Sequence, residues 1–345
     1  MRDLLPDIEA WGAEAQPLAI ATVVRTWGSA PRALGSRMAV SADGRIAGSV
    51  SGGCVEAAVI EAAREAARTG TPRLLSFGVA DEKAWTVGLA CGGAIDVFVE
   101  APDFATFAEL MSLSTSDEPA AVATVLAGPS AGRHLFLHAD GQKRGSLKGP
   151  LSQKVSAVAR AALKEGKAAR VEVSDTDVFI EVMRPSPRLV VVGGVHIAIP
   201  LTWMARALGY KTIVVDPRPA FGSVDRFPQA DEIVPAWPDE ALGRIGLNSE
   251  TAVAVLTHDP KLDDPALRAA LPSAAFYVGA LGSKQTQAKR RDRLLAAGLT
   301  ESQVGRLRAP IGLDLGGRSP EEIAVSVLAQ IVAVRNGRGD AKPTA

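Results

Sequence analysis

Four continuous apolar runs mark the second half of the chain as a set of buried strands. Such runs are typical of strands that are covered on both faces in a parallel sheet. They are Leu189–Val192, Thr212–Val215, Ala252–Leu256 and Ala275–Val278. Helical segments fill the gaps: one is predicted from about Val195 to Leu208, and the last begins at the capping box Ser319-Pro320-Glu321-Glu322. The alternation predicts an α/β fold, a Rossmann-like doubly wound parallel sheet over residues 188–345.

The first half of the chain repeats itself at low identity but in constant order. The segment Ala19–Glu100 returns as Ala121–Glu181, and Asp43-Gly44 in the first copy matches Asp140-Gly141 in the second. Each copy is predicted to form a strand, an Asp-Gly turn, a strand, a helix and two more strands. We therefore expect an N-terminal α+β region of two diverged repeats, 1–104 and 105–187, which pack together and end in a proline-rich linker.

The first copy carries three additions that the second copy lacks. They are the segment Trp27–Arg32, the glycine loop around Cys54, and the loop from Trp85 to Gly93 that contains Cys91. Because the second copy keeps its scaffold without them, these additions are the best candidates for chemistry.

The two cysteines of the chain, Cys54 and Cys91, both stand among glycines. Glycines on either side remove the neighbours that a buried thiol needs, so we expect exposed thiols that a ligand can approach. Cys54 also precedes a helical stretch from Val55 to Thr69, where the helix dipole favours a thiolate. The alternative for each cysteine is ordinary core packing. A structural disulfide and a zinc site are disfavoured, since no signal peptide and no Cys-x-x-Cys spacing is present.

The dinucleotide fingerprint of the second half is incomplete. In Gly193-Gly194-Val195-His196 a valine stands where a glycine lets the backbone touch a pyrophosphate. Asp216 follows the second strand at the distance expected for a ribose contact. NAD(P) is therefore an unlikely cofactor. His196 is expected either to face the ligand crevice or to satisfy only local backbone.

Polar groups follow the strands at the edge where open α/β sheets bind ligands. They are Asp216 and Arg218, His258 and Asp259, and the glycine loop with Gly282, Ser283 and Lys284. The last segment suits a phosphate or another anion. Arg290 and Arg291, further along, are interpreted as a solvated helix face.

Composition excludes two classes of partner. Lysine plus arginine equals aspartate plus glutamate at 38 each, so no net charge favours nucleic acid. No apolar run is long enough to span a membrane, and the apolar fraction of 47% is that of a globular protein. We expect a cytoplasmic protein.

The long motifs together resemble the xanthine dehydrogenase accessory factor family, often called XdhC/CoxI. They are Gly48–Glu56, Gly88–Gly93, Val215–Arg218, Thr257–Asp259, Gly279–Ser283 and Ile311–Asp314. The resemblance implies a protein that binds molybdenum cofactor, in its molybdopterin form, and delivers it in sulfurated form to a molybdenum hydroxylase such as xanthine dehydrogenase. It implies a cofactor-binding chaperone rather than an oxidoreductase.

We infer roles for individual residues from the chemistry of the implied cofactor, since a soft thiolate suits its sulfur-bound molybdenum and a glycine loop suits its phosphate. Cys54 and Cys91 would hold or guard the metal, and the loop with Gly282, Ser283 and Lys284 would hold the phosphate or the pterin. This requires the cysteine loops to face the carboxyl edge of the α/β sheet. The other expected cofactor-binding residues are Gly52, Gly53, Gly92, Arg32, Gly193, His196, Asp216, Arg218, His258 and Asp259. The expected partners are a molybdenum hydroxylase apo-enzyme, a cysteine desulfurase-type sulfurase and a second copy in a homodimer.

Two other functions stay open at this stage. One is a NAD(P)-dependent oxidoreductase with His258 and Asp259 as acid and base groups. The other is a thiol redox protein that cycles Cys54 and Cys91 between dithiol and disulfide, although no Cys-x-x-Cys motif supports it.

Overall fold

The computed structural model describes residues 1, 4–11, 17–30, 32–78 and 93–338, with 17, 18 and 284 by backbone only. The chain divides into two units, Met1–Pro185 and Ser186–Ala345. Both copies of the repeat lie in the first unit. Cys91 and Gly92 fall outside the described residues.

The first copy forms a five-stranded antiparallel sheet, in the order β3-β2-β1-β5-β4, with one helix across it. A short helix α1 (Leu5–Trp11) precedes it. The elements are β1 (Pro17–Trp27), β2 (Arg37–Ser41), β3 (Ile46–Gly48), α2 (Glu56–Thr69), β4 (Arg73–Phe77) and β5 (Ala94–Glu100).

The second copy follows helix α3 (Phe104–Thr115) and has the same topology, β8-β7-β6-β10-β9. Its elements are β6 (Ala120–Val125), β7 (His134–His138), β8 (Lys143–Arg144), α4 (Gly149–Glu165), β9 (Ala169–Glu172) and β10 (Asp177–Met183). Each copy thus has one strand more than the sequence predicted. The additional strand, β2 or β7, lies between the first strand and the Asp-Gly turn and pairs with the strands on both sides.

The two sheets pack on each other through alternate residues of their strands. In β1, Ala19, Ala21 and Val23 face the core under α2, whereas Ile20 lies in a second core with Ala39 of β2 and Val122 and Phe136 of the other sheet. Helices α1 and α3 complete this second core. A further cluster joins Val24 and Phe98 to Leu126 and Phe179.

Two buried cross-sheet side-chain pairs, one of them an ion pair, lie at this interface in equivalent positions of the two copies. Arg37, the first residue of β2, donates to Glu181 of β10, with Nη1 2.9 Å from Oε1. His134, the first residue of β7, places Nε2 2.8 Å from Glu100 Oε2 of β5. All four side chains are largely removed from solvent. Burial makes each charge dependent on its partner, so the pairs specify how the two sheets align.

Glycine is required at the matching positions Gly48 and Gly145. Their φ angles are 72° and 110°, and a Cβ at either would lie 2.4 or 2.3 Å from the carbonyl oxygen of Arg37 or His134. The close approach brings the third strand of each copy against the residue that forms the cross-sheet pair.

The second unit contains the parallel sheet that the sequence predicted, and the structure shows that it has six strands in the order β13-β12-β11-β14-β15-β16. Helices cover both faces: α6, α7 and α8 contribute to one core, and α5 and α10 to the other. The strands are β11 (Arg188–Val192), β12 (Lys211–Val215), β13 (Glu232–Val234), β14 (Thr251–Val255), β15 (Tyr277–Ala280) and β16 (Leu307–Arg308). The helices are α5 (Ala198–Ala207), α6 (Pro238–Ile245), α7 (Pro260–Ala270), α8 (Lys284–Ala296), α9 (Glu301–Val304) and α10 (Pro320–Arg335).

Of the helices in the described part of the chain, none combines the length and the apolar character needed to cross a membrane.

We expect the substitution Glu181→Ala to destabilise the protein by about 3–5 kcal/mol, because it leaves the Arg37 guanidinium buried without its partner. The double substitution of Arg37 and Glu181 by methionine should recover most of this loss, since no buried charge is left. Urea unfolding of the full chain measures both. The control is Glu61→Ala on α2, where the Arg64–Glu61 pair is exposed and should contribute only about 0–1 kcal/mol. Equal losses at Glu181 and Glu61 would contradict the argument.

Candidate functional site

The described parts of the three additions lie at one end of the first sheet. Strand β1 ends at Trp27 opposite Ala94, where β5 begins, and β4 ends at Phe77 beside Ile95. Strand β3 runs in the same direction as β1 and leads at Gly48 into the Cys54 loop. Gly93, the described residue of the third addition, directly precedes β5 and therefore also lies at this end.

Direct contacts join the additions to each other. The Arg32 Nε donates to the carbonyl oxygen of Ser49, at 3.1 Å. Gly93 lies so close to the first addition that a Cβ there would be 2.8 Å from the backbone nitrogen of Ala30. Arg32 and the Cys54 loop, which the sequence analysis selected independently, are thus brought together.

The loop that carries Cys54 is organised by the carboxylate of Glu56, the first residue of α2. Oε1 accepts from the backbone N–H of Ser51 at 2.9 Å and of Gly52 at 3.0 Å, and Oε2 accepts from Gly53 at 2.9 Å and Val55 at 3.2 Å. The hydroxyls of Ser49 and Ser51 also donate to it. One side chain therefore fixes every residue around Cys54.

The electrostatics of the Glu56 carboxyl reflect these hydrogen bonds. Burial by itself would raise its pKa, but the donors from Ser49, Ser51 and the backbone outweigh burial and lower the pKa to about 2. The carboxylate is therefore ionised throughout the physiological range and holds the loop as an internal anion.

Cys54 is exposed, as predicted. The glycines before it have φ angles of 80° and 119°, and a Cβ at either Gly52 or Gly53 would meet nothing within 4 Å. They give the loop its left-handed turn and leave open space beside the thiol. The backbone N–H groups before α2 are directed at Glu56, a role that the sequence analysis missed. The sequence signal for this role was an acidic residue, Glu56, in the first helical turn after Ser49 and Ser51.

In the second unit, Asp216 is committed to the protein itself. Its side chain is fully buried, accepts from the Gly194 N–H at 2.8 Å and pairs with Arg218 Nη2 at 2.8 Å. Burial would raise the pKa of Asp216, but the Arg218 and backbone hydrogen bonds lower it. The carboxylate predicted to meet a ribose instead closes the glycine turn.

The space beside the Gly194 backbone, where a nucleotide would approach, is also occupied by the protein itself. A Cβ at Gly194 would lie 2.1 Å from the carbonyl oxygen of Phe221, so the segment after Arg218 packs on the turn. Val195 packs against the apolar core, His196 is exposed, and α5 begins at Ala198, three residues later than predicted. Gly193 is buried against Thr257 of the next loop.

Arg290 does not belong to a solvated helix face, contrary to the sequence interpretation. It is buried and pairs with Asp263 at 2.7 Å, while Arg291 is exposed and pairs with Glu301. Arg290 also donates to the carbonyl oxygen of Leu281 at 3.1 Å, and Thr257 donates to Asp263. Burial raises the pKa of Asp263, against the hydrogen bond from Thr257 and the charge of Arg290. This network joins the loops after β14 and β15.

The remaining predicted residues lie on these two loops. His258 is exposed and has a φ of 62°, a strained conformation for a residue with a side chain, while Asp259 caps α7 by accepting from Lys261. Ser283 caps α8 through the Thr286 N–H, after Gly282 at a φ of 138°, and Lys284 is the first helical residue. Among the described residues, no group of three or more histidine, cysteine, aspartate or glutamate side chains could hold a metal ion.

Comparisons with known proteins agree with the division of the chain into two units. The model of the XdhC and CoxI family matches residues 11–78, and the model of the XdhC Rossmann domain matches residues 189–331. The chain belongs to the XdhC and CoxI family. The family resemblance found in the sequence is thereby confirmed.

Two curated relatives cover most of the chain. A Bacillus subtilis protein described as a probable xanthine dehydrogenase subunit is 29% identical over 92% of this chain and 92% of its own. The molybdenum cofactor insertion chaperone PaoD of Escherichia coli is 28% identical over 92% of this chain and 83% of its own. A crystal structure from Bacillus halodurans, described as a xanthine dehydrogenase, superposes with a TM-score of 0.78 at 26% identity and covers 100% of this chain and 98% of the other.

The substitution Glu56→Gln should loosen the Cys54 loop, because an amide offers one accepting oxygen to donors that now use two. We expect a loss of about 1–3 kcal/mol in unfolding free energy and faster amide exchange at Gly52 and Gly53, measured by urea unfolding and NMR. The control is Glu61→Gln on the exposed face of the same helix, which should change neither.

The same loop should resist acid. Because folding lowers the Glu56 pKa from 4.5 to about 2, its stabilisation is complete above pH 4.5, declines below that pH and is lost once the pH has fallen through about 2, while the carboxylate of the folded protein stays ionised down to about pH 2. The amide resonances of Gly52 and Gly53 should therefore hold their positions from pH 7 to about pH 3. A titration of these resonances centred near pH 4.5 would contradict the assignment.

NAD(H) and NADP(H) should bind no more tightly than the millimolar range, about −4 kcal/mol, in isothermal titration. The reason is that Asp216 and Gly194 already meet Arg218 and Phe221. A micromolar dissociation constant for any of these nucleotides would overturn this expectation.

Proposed function

We propose that this chain binds molybdenum cofactor and assists its sulfuration and insertion into a molybdenum hydroxylase of the xanthine dehydrogenase type. The observation that carries the proposal is the asymmetry of the two copies. Both have the same sheet and helix, but only the first presents an exposed thiol, Cys54, on a loop fixed from within by Glu56. The relative that is described as a molybdenum cofactor insertion chaperone supports the same role.

The residues present fit this cofactor. A thiolate is a soft ligand suited to a sulfur-bound metal centre, and Cys54 stands beside open space rather than in a closed set of protein ligands. Arg32, hydrogen-bonded to Ser49 of the same loop, adds a cationic group for an anionic ligand. When bound, the cofactor supplies the molybdenum and sulfur that a hydroxylase needs.

The chain's own residues then have distinct tasks. Glu56 holds the loop, Cys54 ligates or protects the metal centre, and Gly52 and Gly53 let the ligand approach. Two further roles stay predictions from the sequence. One is that Cys91 acts with Cys54 at the metal centre, and the other is that Gly282, Ser283 and Lys284 hold the phosphate or the pterin. The partners we propose are a hydroxylase apo-enzyme, a cysteine desulfurase-type sulfurase and a second copy of this chain.

A NAD(P)-dependent oxidoreductase is a less suitable function for this geometry. It would need the Asp216 carboxylate and the Gly194 backbone for its nucleotide, and both are engaged within the protein. The other alternative, a thiol redox protein that cycles Cys54 and Cys91, is tested by measuring the reduction potential of the pure protein.

The substitution Cys54→Ser should lower the molybdenum cofactor that co-purifies with the protein at least fivefold, because it removes the soft ligand. The melting temperature should stay nearly unchanged, since the exposed thiol adds little packing. Molybdenum and pterin analysis after purification without air, with calorimetry, measures both. The Cys91→Ser variant is analysed in parallel.

The matched control is Leu151→Ser, at the position in the second copy that corresponds to Cys54. Leu151 packs, partly buried, against the core of the second copy under α4, so this variant should lose stability but keep its cofactor. Full retention of cofactor in both cysteine variants would defeat the thiolate model, and a large stability loss in Cys54→Ser would indicate a packing role instead.

A further inference from the structure

A cleft of about 720 Å³ opens within the first unit, between the end of β1 and the turn that follows β9. Arg25 and Thr26 line one side, and Arg170, Glu172 and Asp175 line the other. The cleft lies on the strand that leads into the additions, and its volume is in the range of small-molecule sites.

The wall formed by β1 is specific to the first copy. Strand β1 has 11 residues, whereas its counterpart β6 has six and ends before the equivalent of Arg25. The pairing of β1 with β5 shifts register between Val23 and Arg25, while β6 pairs with β10 without interruption. A bulge of this kind re-aims side chains and is common beside active sites. The cleft therefore shares the asymmetry of the Cys54 loop.

The charges of the cleft are divided between buried and exposed groups. Arg170 is held by Asp177 at 2.9 Å and by Asp96, and so ties the second copy to the first. Arg25 is 63% exposed, 3.7 Å from Asp96. Glu172 and Asp175 are exposed on the opposite wall, and Asp175 lies in the two-residue turn after β9 with a φ of 57°.

Apolar side chains complete the cleft. Val24, Leu34 and Val171 line it between the charged walls. Trp27 follows Arg25 by two residues along β1, on the same face of the strand, and its indole is 68% exposed. A flat ring system with a polar edge fits these surroundings, because the ring can contact the apolar groups while its edge meets the charges.

We propose that this cleft binds the pterin of molybdenum cofactor by its 2-amino-4-oxo edge, which rests on the function proposed above. Glu172 and Asp175 accept from the ring N–H and the amino group, and Arg25 donates to the neighbouring carbonyl oxygen. A cation opposite carboxylates matches an edge that carries an acceptor beside two donors. Guanine has the same edge, so the test separates the two ring systems.

The experiment titrates the full chain with unsubstituted pterin, guanosine and adenosine, followed by calorimetry. Wild type should bind pterin with a dissociation constant below about 1 mM and adenosine not measurably, because adenosine lacks the donor-acceptor edge. Arg25→Gln, and the double variant Glu172→Gln with Asp175→Asn, should each weaken pterin binding at least tenfold. Arg64→Gln and Glu61→Gln, an exposed pair on α2, are the matched controls and should leave it unchanged.

Two results would overturn the assignment. One is pterin binding that is absent in wild type or equal in all variants. The other is guanosine binding tighter than pterin, which would assign the cleft to a nucleotide. Molybdenum retention in the same variants separates this proposal from the proposed function. If Cys54→Ser loses molybdenum and Arg25→Gln changes neither pterin binding nor molybdenum retention, the cleft assignment is wrong and the proposed function stands. If pterin binding depends on Arg25 but the wild-type protein retains no molybdenum, the cleft assignment stands and the proposed function is wrong.

Discussion

The alignment of the two antiparallel sheets depends on buried polar side chains that have partners across their interface. Arg37 of one sheet meets Glu181 of the other, and Glu100 meets His134 in the equivalent position. Since each group is largely removed from water, any other alignment would leave a charge buried without a partner. This alignment also brings Arg170 of the second copy to Asp96 of the first, and so places the charged cleft between them.

Duplication followed by divergence explains why one copy can carry the candidate site. The second copy supplies part of the shared core, the partners of the buried cross-sheet pairs and one wall of the cleft. The first copy is then free to extend β1 and to build a glycine loop with few packing contacts of its own. That loop is ordered by hydrogen bonds to a single carboxylate and by the buried side chains of Val50 and Val55, while its thiol and its glycines stay open to a ligand.

A carboxylate that meets the backbone N–H groups of a glycine turn recurs in the second unit. Asp216 closes the turn at Gly194 as Glu56 closes the Cys54 loop. Both carboxyl groups have lowered pKa values, Glu56 chiefly through the Ser49 and Ser51 hydroxyls and Asp216 chiefly through Arg218, with the backbone donors adding to each. In a dinucleotide-binding protein the same donors and the same acidic residue serve the ligand. The Rossmann-like topology is thus retained while its usual nucleotide contacts are made within the protein.

The sequence by itself determined the parallel sheet, the repeat and the asymmetry between the copies, because apolar periodicity and the order of motifs are local properties. It also indicated that Cys54 is exposed, since the flanking glycines provide no packing. It could not show that Glu56 collects the loop donors, that Arg290 is buried against Asp263, or that Arg25 and Asp175 line one cleft. Those facts depend on residues distant in the chain, or on the direction of a side chain within a turn, and only the tertiary structure decides which donor meets which acceptor.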